Sequence, residues 1–329
     1  MKENNYYFKD TSRFHRIFQK AERGQPVSLL FLGASVTLGY RIPIQDQFPT
    51  LIQQHFQKTY PLSTVHLHNL SSPGLPSVHA LYQCYTEVEG YQPDLIVIDY
   101  SINDQKNPDS REAYESLLVK VLSLPSSPAI ISFFVKGKGK AGYTCAPQMS
   151  AVNEHYGIAY ADIGAELEQD ISENRLTWDN YSYDDKHPGP NGHHYIANQL
   201  IWLLQAICHT SPHACPMPAA PLFSRGLANL TFLNKPWPDP PAPVSFTLSC
   251  HTLFFAYMVD TIPDMGRMFV EIDGGEPLLL DSYRVDEWEH PAYKFHHMGK
   301  EKKTHRIRLY TDSDGQNTTH FNLLALGYD

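Results

Sequence analysis

The sequence is poor in the features that identify many function classes. Its 329 residues hold only five cysteines, at 84, 145, 208, 215 and 250, and no two stand as C-x-x-C. An odd number without paired spacing indicates no disulfide framework and excludes a zinc ribbon. Free thiols are the expectation, with a Cys208–Cys215 bridge as the alternative. No run of Lys or Arg offsets the net charge of −9, so no nucleic-acid partner is expected. No window of 18 apolar residues exists, which excludes a membrane-spanning helix, and no membrane partner is expected. The N-terminal stretch MKENNYYFKDTSRFHRIFQK lacks the apolar centre of a signal peptide. A cytoplasmic location follows as an expectation; a leader removed beforehand would instead make the protein secreted. Neither H-E-x-x-H nor G-x-S-x-G occurs, so the metalloprotease helix and the α/β-hydrolase nucleophile elbow are unmatched.

What is present is ordinary core material, 42% hydrophobic and 19% charged residues, in a chain long enough for two domains. From residue 27 apolar runs alternate with helix-like stretches. VSLLFL over 27–32, 65–69, LIVIDY over 95–100, AIISFFV over 129–135 and 158–161 read as strands, several of them apolar throughout, as in a buried parallel sheet. Between them, 45–59, 78–89, 111–124, 149–155 and 191–207 read as helices. Repeated β-then-α units predict a parallel sheet with helices on both faces. After about Cys208 the texture changes. Residues 211–244 are proline-dense, which suits neither a helix nor a central strand, and read as a linker. Residues 245–329 read as short strands, with Asp273-Gly274-Gly275 as a hairpin signal, and predict a small β-sandwich or jelly-roll.

Four segments carry candidate chemistry. Ser35, in LLFLGASVTLGY, closes the first buried strand, where parallel strands open towards ligands; a serine capping the next helix is the competing explanation. Gly74, in SSPGLPS, can turn with positive φ and expose its N–H, or can simply be a turn residue. Asn103, in SIND, offers an amide donor or an Asx-turn; Asp104 beside it is expected to hold the loop. In DDKHPGPNG, His187 can take a proton from a serine, and a nearby aspartate can accept from its other ring nitrogen. Asp184 and Asp185 compete for that place. His187, His193 and His194 together would make a metal site, but without an appropriate spacing or a downstream acid.

Singly these motifs are weak, but their order along the chain resembles the SGNH, or GDSL-type, hydrolases. GASVT stands where that family has its serine block, Gly74 and Asn103 match the next two blocks, and Asp184-Asp185-Lys186-His187-Pro188 matches D-x-x-H-P. The resemblance spans roughly 25–208 and departs twice: Ala34 replaces an aspartate and Ser101 a glycine. It implies a flavodoxin-like three-layer α/β/α hydrolase domain over 1–210, followed by the linker and the β-domain. It selects Asp184 over Asp185 and implies a Ser35–His187–Asp184 triad. The oxyanion hole would be formed by the Ser35 and Gly74 N–H groups and the Asn103 amide. No metal or cofactor is required by it.

Two-domain members of this kind resemble carbohydrate esterases, so the expected activity is removal of O-acetyl groups from a small-molecule or oligosaccharide ester. A generic short-chain esterase or thioesterase and a non-catalytic glycan-binding protein are the alternatives, and a homodimer is left open. Trp237, Tyr283, Trp288 and Tyr293 are aromatic candidates for stacking on sugar rings, Trp288 foremost. Packing explains any single one of them equally well or better.

Overall fold

In the computed structural model, residues 5–138, 143–233, 243–285, 288–311 and 320–329 are described. The chain divides into two compact units, Met1–Arg225 and Gly226–Asp329.

The first unit carries strands β1 (Tyr6–Tyr7), β2 (Val27–Gly33), β3 (Val65–Asn69), β4 (Leu95–Asp99), β5 (Ala129–Phe134) and β6 (Ala159–Asp162). They form one sheet in the order β1-β6-β5-β4-β2-β3. Every pairing from β6 to β3 is parallel, which is the flavodoxin-like order expected of repeated right-handed βα units. The apolar runs explain the placing: β4 and β5 are buried along their whole lengths, with helices covering both faces. The two-residue β1, antiparallel to β6, was not expected, since two residues show no periodicity.

Helices α1 (Ser12–Glu22), α2 (Ser35–Leu38), α3 (Phe48–Thr59), α4 (Ser77–Thr86), α5 (Pro108–Leu122) and α6 (Ala146–Tyr156) follow in chain order. They are completed by α7 (Ile163–Ser172), α8 (Trp178–Tyr181) and α9 (Pro190–Cys208). Phe14 and Ile17 of α1, Ile52 of α3 and Leu200 and Leu203 of α9 join Phe31, Val97 and Ile131 of the sheet in one core. Proline sets the start of α5 and α9, where its missing N–H costs nothing. No helix among the described residues is long and apolar enough to cross a membrane.

Part of the proline-dense stretch belongs to this unit. The fully buried Glu115 of α5 accepts from Leu222 N at 2.6 Å, Phe223 N at 2.7 Å, Ser224 N at 2.9 Å and the Tyr156 hydroxyl at 2.7 Å. Three successive backbone donors on one carboxylate pin 222–224 to α5. Cys208 and Cys215 are both free, so the alternative bridge is not formed.

The second unit holds β7 (Thr231–Phe232), β8 (Val244–Cys250), β9 (Thr252–Val259), β10 (Arg267–Ile272), β11 (Leu278–Asp281), β12 (His290–His297), β13 (Lys303–Thr311) and β14 (Leu323–Tyr328). They make two antiparallel sheets, β11-β10-β13-β8 and β12-β9-β14-β7. Phe255 and Leu326 from one sheet and Val270 and Ile307 from the other share a core, the pattern of a sandwich. Asp273 and Gly274 have φ of 53° and 76°, the left-handed pair that closes the β10–β11 hairpin. Tyr293 packs against Phe254 at 5.9 Å. Trp288 is 54% exposed, its ring 5.1 Å from that of His290. Trp237 lies outside the described residues.

Candidate active site

Parallel pairing brings the C-terminal ends of β2, β3 and β4 to one edge of the sheet. Gly33 pairs with Asp99 there, and its carbonyl accepts from Ser72 N at 3.0 Å. A Cβ on Gly33 would stand 2.2 Å from Thr37 Oγ1 and 3.1 Å from the Asp99 carbonyl. Glycine is therefore needed for α2 to begin directly at the strand end. Ser35 is the first residue of α2, whose N-cap is Ala34. Its hydroxyl does not cap the helix but meets His187 Nε2 at 3.1 Å.

His187 is carried by the turn before α9. Its Nδ1 lies 2.8 Å from Asp184 Oδ2. The other Asp184 oxygen accepts from His187 N and Lys186 N, each at 2.7 Å. The turn is stitched further: Ser182 Oγ shares its proton between the carbonyls of Asp184 and His187, and Trp178 Nε1 donates to the Asp184 carbonyl at 2.9 Å. Burial alone would raise the Asp184 carboxyl; the hydrogen bonds from His187 and Lys186 and the imidazole's charge overcome it and bring the pKa down to about 2. Asp185 is exposed, and its backbone carbonyl accepts from Lys138 N at 2.9 Å. An ionised carboxylate on Nδ1 keeps the proton of a neutral imidazole there and leaves Nε2 free to accept from a hydroxyl.

Gly74 adopts a φ of 72° in the loop after β3, a conformation costly for any other residue. Asn103 follows β4, and its backbone N–H donates to the Tyr100 carbonyl at 3.0 Å. Asp104 does hold the loop: its two oxygens accept from Ser77 N and Ser77 Oγ, each at 2.7 Å, tying the exit of β4 to the start of α4. Burial pushes this carboxyl up to about 7, against the pull of those bonds. Ser101 is buried as well. Its hydroxyl has one proton to share between Asp99 Oδ1 at 2.7 Å and the Val135 carbonyl at 3.0 Å, and accepts from Val135 N at 2.8 Å. The serine that departs from the family pattern is thus a tie between the ends of β4 and β5, a role that local sequence does not signal.

The histidine cluster comes apart. His193 is buried, its Nδ1 accepting from Phe48 N at 3.2 Å while its ring stacks on Phe48 at 5.7 Å. Burial first, then the neighbouring His194, pushes it down to about 4. His194 instead faces Asp46 at 3.7 Å. Among the described residues no group of three His, Cys, Asp or Glu could hold a metal ion.

Comparison with known proteins finds a family and a fold. Residues 31–195 match the model of the GDSL-like lipase/acylhydrolase family. A two-domain esterase (CEX) active on acetylated mannans superposes with a TM-score of 0.81 at 17% identity, over 99% of this chain and 97% of that one. The same esterase co-crystallised with mannopentaose gives 0.81 at 18% identity, with the same coverage. A mutant of Axe2, an acetyl-xylooligosaccharide esterase from Geobacillus, covers 58% of this chain and 97% of its own, with a TM-score of 0.47 and 17% identity. No curated protein matches the sequence.

Proposed function

The chain belongs to the GDSL-like lipase/acylhydrolase family and is a carboxylic ester hydrolase, and from that premise we propose that it is a serine esterase that removes O-acetyl groups from a saccharide. The observation that carries the reading is the line of hydrogen bonds from Ser35 Oγ through His187 to Asp184, at 3.1 Å and 2.8 Å. A serine hydroxyl is a weak nucleophile until a base within hydrogen-bond reach removes its proton.

In this mechanism Ser35 Oγ attacks the acetyl carbonyl while His187 Nε2 takes the hydroxyl proton. The carbonyl π electrons move onto oxygen, and that oxyanion is held by the N–H groups of Ser35 and Gly74 and the Asn103 amide. Collapse breaks the bond to the sugar oxygen, which leaves with the proton from His187. Water then attacks the acetyl-serine, giving its proton to His187. The second collapse expels Ser35 Oγ, which takes that proton back, and acetate departs. Asp184 keeps the imidazole in the required tautomer and offsets its transient positive charge.

The saccharide part of the reading draws support from the shared two-unit architecture, since the esterase of the same fold acts on acetylated mannans. Trp288, exposed on the second unit, is proposed as a sugar-contacting residue. Two measurements test the assignment together: labelling by a fluorophosphonate probe, with the adduct mapped by mass spectrometry, and acetate release from a panel of acetylated oligosaccharides. An adduct on Ser35 with acetate release is expected. An adduct elsewhere, or hydrolysis of simple aryl esters alone, overturns the nucleophile or the substrate respectively.

A further inference from the structure

If His187 protonates the departing alkoxide, the leaving sugar must lie against the open side of that ring. Tyr40, which the sequence motifs do not mark, packs beside that ring, and Arg41 packs in turn on Tyr40. The ring of Tyr40 sits 5.1 Å from that of His187, tilted by 48°, and Tyr40 is 41% exposed. The Arg41 guanidinium rides on the Tyr40 ring, 4.9 Å from its centre.

The backbone beneath them is held in an unusual shape. Gly39 ends α2 with a φ of 77° and Arg41 follows with a φ of 63°. A left-handed arginine is strained, and strain of this kind persists only where neighbours over-determine it, often at functional sites. Here they do: Tyr40 N donates to the Ser35 carbonyl at 3.1 Å, and Gln47 Nε2 donates to the Ile42 carbonyl at 2.9 Å. Ile42 is buried directly after Arg41. The loop that presents Tyr40 and Arg41 is therefore fastened to Ser35 itself. Arg41 is exposed, and no carboxylate among the described residues pairs with it, although the protein carries a net charge of −9.

We propose that Tyr40 and Arg41 form the leaving-group subsite, in which Tyr40 is a positioning residue for the His187 ring and Arg41 a specificity-determining residue whose N–H fork binds oxygens of the departing sugar. Tyr40 meets one side of the imidazole and limits its rotation about the line from Asp184 to Ser35. An aromatic face also favours the imidazolium that forms during each transfer. Arg41 is suited to a neighbouring pair of oxygens because its donors are planar and fixed. This proposal rests on the acyl-saccharide reading above.

The test is steady-state kinetics on p-nitrophenyl acetate and on an acetylated oligosaccharide. The Arg41→Gly variant removes the side chain and suits the left-handed backbone, so it should fold with an unchanged melting temperature. It is expected to keep kcat/KM on the aryl acetate within about threefold and to lose roughly 10- to 100-fold on the oligosaccharide, mostly through KM, the usual scale of a lost bond to a charged donor. Arg41→Lys should recover only part of that loss. Tyr40→Ala should lower kcat about tenfold on the sugar ester and less on the aryl ester, whose phenolate leaves with little protonation; Tyr40→Phe, which keeps the ring, should restore it. Arg41→Gly lowering both substrates equally, or neither, overturns the subsite. Wild-type enzyme that cleaves the aryl acetate but no acetylated oligosaccharide overturns the substrate reading and the Arg41 role with it.

Discussion

The edge of the sheet carries two loops built from the same residue types and put to opposite use. In one, Ser35 and Asp184 surround His187; Asp184 is half exposed, and its carboxyl is drawn down to about 2. In the other, the loop after β4, Ser101 and Asp104 are almost wholly buried, and the Asp104 carboxyl is driven up to about 7. A carboxylate in the role proposed for Asp184, supporting a positive imidazole, needs donors and access to water. A carboxyl that holds a loop can be buried where the donors of Ser77 offset part of the cost. Environment, not residue type, separates the loop proposed for chemistry from the one that is scaffolding.

That contrast can be broken most directly at the two serines. Ser35→Ala should cost about 10⁴-fold or more in kcat, by analogy with other nucleophile deletions, and leave the melting temperature unchanged. Ser101→Ala should do the reverse. It keeps most activity per folded molecule but strands Val135 N and loosens β4 from β5, at roughly 1–3 kcal/mol of stability by urea titration. Activity loss in the second without destabilisation would place Ser101 in the chemistry.

Next in size comes the aspartate pair. Asp184→Asn should lower kcat about 10⁴-fold by losing the tautomer control, whereas Asp185→Asn should change it only severalfold. Equal effects would show that the turn as a whole, and not one carboxylate, supports His187. The proposed oxyanion donors come third. Asn103→Ala should reduce kcat by roughly 10²–10³-fold with little change in KM; a rise in KM alone would make Asn103 a substrate contact.

The smallest effect is on pH. A carboxyl whose folded pKa lies above its unfolded value near ~3.9 favours folding while protonated. Its contribution is complete below that value and lost as pH rises through about 7, so Asp104 should erode stability between about pH 4 and 7. Asp104→Asn keeps the shape and the bond to Ser77 N without the charge. Thermal melts of the variant at pH 5 and pH 7 should therefore differ less than those of the wild type. An unchanged slope would locate the titration elsewhere, with Asp99, raised to about 6 by burial, as the next candidate.

Much of this arrangement was legible along the chain. Continuous apolar runs pointed to β2, β4 and β5 because a strand covered on both faces has no polar side to alternate with. Ser35, Gly74, Asn103 and the 184–187 turn were singled out by where they fall relative to those runs. Less visible were β1, too short to show a period, and helix ends: the helix expected over 78–89 stops at Thr86, and the one expected from 111 begins at Pro108. The tie made by Ser101 and the left-handed Arg41 beside Tyr40 gave no signal at all. Ser101 looked like a substitution in a loop, and a left-handed arginine has no sequence mark.

By itself the sequence determined the kinds of side chain available and the order in which the strands deliver them, since hydrophobic periodicity and turn chemistry act over a few residues. Only the tertiary structure decided which of those side chains meet. Ser35 and His187 are 152 residues apart and come within 3.1 Å because parallel pairing of β2 with β4 and the packing of α9 under the sheet fix both ends. Within the turn, the bonds from Ser182 and Trp178 direct Asp184 onto the imidazole and leave Asp185 in solvent. Local patterns state what a segment prefers; distances between segments arise only when all of them bury their apolar faces at once.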